Sequence, residues 1–352
     1  MDAIAPPSKF AATVLDRARA AVARSRRPAG GPGITLAPLS RCVEESSIAY
    51  PHVTASLDRN GGLVTITVHG PRAPAPPDMA AAREQGDAFW PLAATRELDD
   101  LILWLRSNET GLGTWLVKTS GDAGAVLGYE ALLARAAGQD WLADEIGHFF
   151  KRTLRRLDVT SRSLFALIEP GGCFAGPLLE LALACDRQFM RSGLPEGGLD
   201  PQAGPDPLQP AAITLSAANF GTFPMSNGLS RLASRFSGEP DHMAGLEKQA
   251  GRPLEAEEAL ALGLVTFAPD ELDWDDEIRI ACEERASLSP DALTGMEANL
   301  RFAGPETPQT KIFGRLSAWQ NWVFTRPNAS GPEGALRRYG TGQAGVFDRN
   351  RA

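Results

Sequence analysis

The chain has 352 residues, 43% of them hydrophobic, enough to bury a sizeable core in one large domain with appendages or in two domains. A net charge of −8 and an isoelectric point near 5.2, with no long basic tract, argue against a nucleic-acid binder. No run of about eighteen apolar residues occurs, which excludes a membrane-spanning helix of ordinary length.

In chain order, "FAATVLDRARAAVARSRRP" comes first and is rich in Ala and Arg. It has the composition of a transit peptide, but Asp16 and the Gly/Pro linker after it favour an amphipathic helix, exposed or packed on a partner. Next stand two strand candidates, "HVTASLD" and "LVTITVHG", joined by "RNGG" as a hairpin. A Pro-rich spacer leads to "TRELDDLILWLRSNET", where Leu98, Leu101, Ile102 and Leu105 recur at helical spacing with acidic residues expected on the opposite side. The strand "TWLVKT" then runs into the glycine junction "SGDAGAVLGY". A longer helix follows, with Ile146, Phe149, Phe150, Leu154 and Leu157 on one face. Lys151, Arg152, Arg155 and Arg156 lie in its last turns, where positive charge suits the helix dipole and a solvated face is expected.

The strand "SLFALIE" feeds a second junction, "PGGCFAGPLLELALACD". A strand that delivers glycines to a helix start aims unpaired N–H groups at one point, a place for developing negative charge. The helix behind it is apolar all round, so Glu180 is carried into the interior, where a carboxyl tends to hold its proton and can act as a general acid or base. The competing reading is a Glu180 satisfied by neighbouring donors that only positions the loop. In that case Glu180→Gln should hardly change stability, whereas a catalytic Glu180 would lose turnover. Pro177 suits the first helical position but removes one N–H from the candidate oxyanion cradle.

Residues 191–210 read as a Gly/Pro-rich lid or surface excursion. Beyond them come "AAITLSAANFGTFPMSNGLSRL", a strand, turn and helix start, and helices over "DELDWDDEIRIACEER" and "SPDALTGMEANLRF". Alternating strands and helices indicate an α/β fold. Cys42, Cys173, Cys185 and Cys282 form no CxxC pair, and His52, His69, His148 and His242 show no ligand spacing. Reduced thiols in a cytoplasmic protein and no metal site are expected.

The pair of glycine junctions, with "ELALACD" and then "FGTFPMSNGLSRL", resembles the crotonase (enoyl-CoA hydratase/isomerase) superfamily. "TRELDDLILWLRSNE", "GTWLVKTSGDAGAVL", "KRTLRRLDVTSRSLFALIEPGGCFAG", "SPDALTGMEANLRFAGPE" and "IFGRLSAWQNWVFTRPNA" are similar to the C-terminal part of the benzoyl-CoA-dihydrodiol lyase family. The resemblance implies a crotonase-like repeated ββα spiral over 40–270, an N-terminal helix and linker over 1–39, and a helical extension over 271–352. It implies an aromatic acyl-CoA thioester as substrate, with coenzyme A part of the substrate and no separate cofactor. The family's reaction opens 2,3-epoxybenzoyl-CoA with water, giving 3,4-dehydroadipyl-CoA semialdehyde and formate.

Carried onto this chain, the superfamily's first glutamate falls on Glu180 and its second on Ala217, which has no proton to move. Oxyanion-loop donors fall at Leu127, Gly128 and Gly176, with Pro177 in place of a glycine. The expected part is thus a degenerate repeat whose catalytic N-terminal half is a separate polypeptide or lost. A non-catalytic acyl-CoA-binding or scaffold module is the alternative, and an independent enzyme relying on Glu180 comes third. Association into homo- or hetero-oligomers is expected. Trp319, Trp322 and Phe324 are placed either on a docking surface or in internal core.

Overall fold

The computed structural model describes residues 3–25, 33–193 and 209–351. Most of the Gly/Pro-rich stretch over 191–210, and part of the N-terminal linker, lie outside the described residues. The chain divides into two units, Met1–Leu36 and Ala37–Ala352.

The first unit holds one helix, α1 (Pro7–Arg24), with proline in its first turn and no buried residue. Phe10, Val14, Leu15 and Val22 are exposed on it.

The second unit is built on a seven-stranded sheet in the order β1 (Cys42–Val43), β2 (Ser47–Ala49), β3 (Val53–Asp58), β4 (Leu63–His69), β5 (Thr114–Ser120), β6 (Ser163–Ile168) and β7 (Arg187–Met190). Strands β1 to β4 are antiparallel, and β3 meets β4 across the hairpin with Val53 opposite Val68 and Asp58 opposite Leu63. From β4 to β7 the pairing is parallel. The burial patterns follow from that difference. In β4, Val64, Ile66 and Val68 are buried while Thr65, Thr67 and His69 are partly exposed, the period-two pattern of a strand with one covered face. Every residue of β6 is buried, as a parallel inner strand requires.

The crossovers supply the helices. After β4 come α2 (Met79–Gln85) and α3 (Trp90–Asn108), and between β5 and β6 lie α4 (Ala123–Ala136) and α5 (Trp141–Asp158). Leu98, Leu101, Ile102 and Leu105 of α3 are buried as the spacing predicts, but the acidic residues are not all opposite them. Glu97 and Asp99 are also buried: Glu97 Oε2 accepts from the His52 N–H at 2.7 Å, and Asp99 Oδ1 accepts from Arg156 Nε at 2.6 Å and Thr153 Oγ1 at 3.2 Å. Helix α5 starts at Asp140, whose carboxylate accepts from the N–H groups of Leu142 and Ala143, a cap that contributes about 1 kcal/mol. Its basic end is only in part the solvated face expected from sequence: Arg152 is exposed, but Arg155 and Arg156 are engaged. Arg156 pairs with Asp99, and Arg155 donates to the carbonyls of Pro224 and Met225, because the segment around those residues passes beside the helix.

After β6 the chain makes a 3-10 turn (Gly176–Leu178) and the short α6 (Leu179–Leu183) before β7. A two-stranded antiparallel sheet joins β8 (Ala212–Thr214) to β9 (Pro253–Glu255), with α7 (Arg231–Arg235) and α8 (Pro240–Glu247) between them and α9 (Ala256–Ala261) after. Helix α10 (Trp274–Ser287) then covers the second face of the main sheet, where Trp274, Ala281 and Cys282 cluster with Leu116, Phe165, Leu167 and Phe189. Helix α11 (Pro290–Arg301) leads to α12 (Pro308–Thr310), a π-helical turn (Lys311–Leu316), α13 (Ser317–Phe324), α14 (Pro327–Ser330) and α15 (Ala335–Arg338). Trp319 and Trp322 are half-buried and pack edge to face at 5.5 Å, with Trp319 against Gly295 of α11, whereas Phe324 is exposed. Phe313 and Tyr339 nearby are 75% and 89% exposed.

Candidate functional site

The two glycine junctions lie side by side at the carboxyl ends of β5 and β6, the end of a parallel sheet where ligand sites form. Gly121 follows β5 with φ +135°, and a side chain there would press against Gly70, so only glycine lets the two backbones pass. Asp122 then caps α4 by accepting from the Gly124 N–H at 2.7 Å. This places Leu127 and Gly128 inside α4 rather than in a loop. Their N–H groups point along the helix to carbonyls four residues back, so they are not convergent donors. The N–H groups of a helix without an intrahelical partner are those of its first turn, here at Ala123–Ala125, of which that of Gly124 is taken by the Asp122 cap.

At the second junction the Cys173 N–H donates to Thr119 Oγ1 at 2.9 Å, tying the loop to the end of β5. Gly176 is buried with φ +47°, and a side chain there would strike the Glu130 carboxylate and the Ser216 hydroxyl. Pro177 follows in the 3-10 turn, and its missing N–H leaves that position without a donor.

Glu180 is 1% exposed, and both of its oxygens are engaged. Oε1 accepts from Asn219 Nδ2 at 2.8 Å, and Oε2 accepts from Arg231 NH1 at 2.7 Å. Arg231 also donates to Asp158 from Nε and NH2, at 3.1, 2.9 and 2.8 Å. Burial pushes the Glu180 carboxyl up from its ordinary range, opposed by Arg231 and Asn219. Burial works against the charge of Arg231, but Asp158 and Glu180 outweigh it and hold the guanidinium above its ordinary value. The result is a buried carboxylate–guanidinium–carboxylate chain with its lone pairs occupied by donors.

Ala217 opens the 3-10 turn Ala217–Phe220 and is exposed. Its neighbours form the turn's frame. The Ser216 hydroxyl accepts from the Ala218 N–H, and Asn219 Oδ1 accepts from the Ser216 N–H at 2.9 Å. Asn219 Nδ2 donates to the Gly176 carbonyl at 3.0 Å as well as to Glu180. The structure thus brings Gly176, Pro177 and Glu180 together with the turn that carries Ala217, and leaves Leu127 and Gly128 in the body of α4, the helix that packs against the Gly176–Leu178 turn.

Sequence reading passed over Glu130, the third residue beyond Leu127, although a lone carboxylate in "AVLGYEALLARA" is a visible signal. Its Oε2 is buried and has no hydrogen-bond partner among the described residues. Burial raises its carboxyl above the ordinary range, offset in part by the Ser216 hydroxyl and the Ala218 N–H. Glu130 borders a largely apolar cavity of about 60 Å³ that Trp90, Tyr129, Phe150, Pro177 and Phe223 help to line. Asp158, Asn219 and Arg231 were missed too, the last despite its place in the "GLSRL" motif. Among the described residues no group of three or more His, Cys, Asp or Glu could hold a metal ion, and no helix is long and apolar enough to cross a membrane.

No protein-family model matches the chain. A benzoyl-CoA-dihydrodiol lyase from Aromatoleum evansii is 49% identical over 351 residues, which is 100% of this chain and 61% of that relative. An enoyl-CoA hydratase from Geobacillus kaustophilus superposes with a TM-score of 0.58 at 16% identity, covering 86% of this chain and 98% of that one. An enoyl-CoA hydratase/carnitine racemase from Magnetospirillum magneticum gives 0.56 at 14% identity, covering 86% and 97%. The fold is therefore the crotonase fold, and along its whole length the chain resembles a benzoyl-CoA-dihydrodiol lyase of which it spans about three fifths.

Proposed function

We propose, from the crotonase fold and the full-length similarity to a benzoyl-CoA-dihydrodiol lyase, that this chain is the C-terminal crotonase-like part of such a lyase. It works with a catalytic N-terminal half in the ring opening of 2,3-epoxybenzoyl-CoA and supplies the scaffold on which that half is completed.

The observation that carries this reading is the engagement of Glu180. A general acid or base must reach a substrate proton, and Glu180 spends both oxygens on Asn219 and Arg231 inside the core. Nothing at Ala217 replaces it, and Pro177 lacks the N–H an oxyanion cradle would use. The exposed Phe313, Phe324 and Tyr339 in the C-terminal helical region support contact with another half or subunit. A second reading rests on Glu130, an acid that does face a cavity, and gives the chain chemistry of its own on an aromatic acyl-CoA thioester.

Formate release from 2,3-epoxybenzoyl-CoA separates the two. The purified chain is assayed alone and then with an N-terminal half expressed from a full-length relative. Silence alone and activity in the mixture above that of the added half supports the first reading. Turnover by the chain alone that disappears in Glu130→Gln supports the second, and no gain in the mixture removes the first.

A further inference from the structure

A second cavity, of about 290 Å³, lies between the end of α6 and helices α7, α10 and α11, and shares no lining residue with the apolar one. Its walls carry Arg231, Arg235, Arg285 and Arg301. Three of these are committed elsewhere. Arg231 is held by Asp158 and Glu180. Arg301 grips Asp186 through Nε and NH2, at 2.7 and 2.6 Å, and donates to the carbonyls of Thr160 and Arg162. Arg235 donates to the carbonyls of Gly263 and Leu264 and to Gln188 Oε1.

Arg285 is different. It is 8% exposed, yet its guanidinium makes no hydrogen bond among the described residues, and its Nε is buried without a partner. The ring of Phe165 lies 5.9 Å away, and the nearest carboxylate, Glu297, stands at 3.8 Å, beyond hydrogen-bond reach. Glu297 is already shared: it accepts from Arg351 at 3.1 Å and from the Ser163 hydroxyl, and lies 4.0 Å from Arg301. Glu297 therefore faces three guanidinium groups, and the other acids lining the cavity, Asp186 and Asp158, are occupied by Arg301 and Arg231. A buried cation without hydrogen bonds is costly unless something negative meets it. The space beside Arg285 is several times the volume of a water molecule, about 30 Å³ in the liquid.

We propose that this cavity binds a small oxyanion, a phosphate or carboxylate group, with Arg285 as its principal ligand. A planar fork of N–H donors that meets no protein acceptor is the group suited to two parallel bonds to such an anion. The site is independent of the acyl-CoA reading, because none of its groups is assigned a part in that chemistry.

Calorimetric titration of the whole chain at low salt, with inorganic phosphate and separately with benzoate, tests the assignment against sodium chloride as a control. Saturable binding of one anion per chain is expected, and whichever probe binds more tightly identifies the group. Arg285→Gln should weaken that binding at least about tenfold. In the absence of anion its melting temperature should be no lower than that of the wild type, since the substitution removes a buried cation that makes no hydrogen bond among the described residues and shares Glu297 with two other guanidinium groups. The wild type failing to bind either anion more tightly than about 10 mM would overturn the proposal. So would Arg285→Gln that binds undiminished or melts lower without anion, for the guanidinium would then be a structural partner of Glu297. Should Arg285→Gln not fold, Arg285→Lys keeps the charge and loses the fork, and weaker phosphate binding by it is the expected result.

Discussion

A buried and a half-buried glutamate flank Gly176, and their surroundings differ. Glu180 has a cation and an amide donor on its two oxygens, whereas Glu130 has an oxygen unmatched among the described residues and an apolar space in front of it. Burial pushes both carboxyl groups upward. A raised carboxyl therefore does not distinguish a working acid from a strut, and what does is whether its lone pairs are already spent.

The contrast can be broken most sharply at Arg231. Arg231→Met leaves Glu180 and Asp158 facing each other inside the core, and a loss of about 3–5 kcal/mol is expected in urea unfolding. A loss below about 1 kcal/mol would mean that the chain of charges does not hold the junction together. Glu180→Gln should cost less, about 1–3 kcal/mol, because an amide cannot accept on both sides and must turn an N–H toward either Asn219 or Arg231. This departs from the small effect that sequence alone suggests. No measurable change in the same unfolding experiment would restore that simpler picture.

The smallest effect belongs to Glu130 and has the opposite sign. Its carboxyl holds a proton more firmly folded than unfolded, so its contribution is most favourable below the unfolded value, near 4.3, and is lost as pH rises through the folded one. Glu130→Gln removes that dependence while leaving an oxygen for Ser216 and Ala218. The variant should match the wild type near pH 4 and exceed it by about 0.5–1 kcal/mol at pH 8, a modest figure because the side chain is partly exposed. A difference that stays constant across thermal melts from pH 4 to 8 would show that Glu130 is not the unmatched group.

The sequence made the strongly periodic elements legible. The alternation of β4 stands in the structure as the spacing predicts, and so does the apolar face of α5, where Ile146, Phe150, Leu154 and Leu157 are buried and Phe149 is half-buried. Short pieces such as β7 and β9 were missed, since four and three residues carry no readable period. Leu127 and Gly128 were misplaced because glycine and alanine after Asp122 look like loop, although Asp122 is an N-cap and the helix begins behind it. The surroundings of Glu180 were beyond reach for another reason. Its cation stands 51 positions later and that cation's second partner 73 positions from it, so only the packed fold brings them together. Arg155 and Arg156 illustrate the same limit, since their basic run looks solvated until Asp99 and the chain at Pro224 arrive beside it.

Asn219 has one further implication. Its single side chain closes the Gly176 carbonyl, the Glu180 carboxylate and the Ser216 N–H. The strand-end loop and the turn about forty positions later therefore share one latch, and neither can fray while the other stays closed. The amides of the two segments should exchange with solvent as one cooperative unit, opening together at a common free energy rather than as two separate loops.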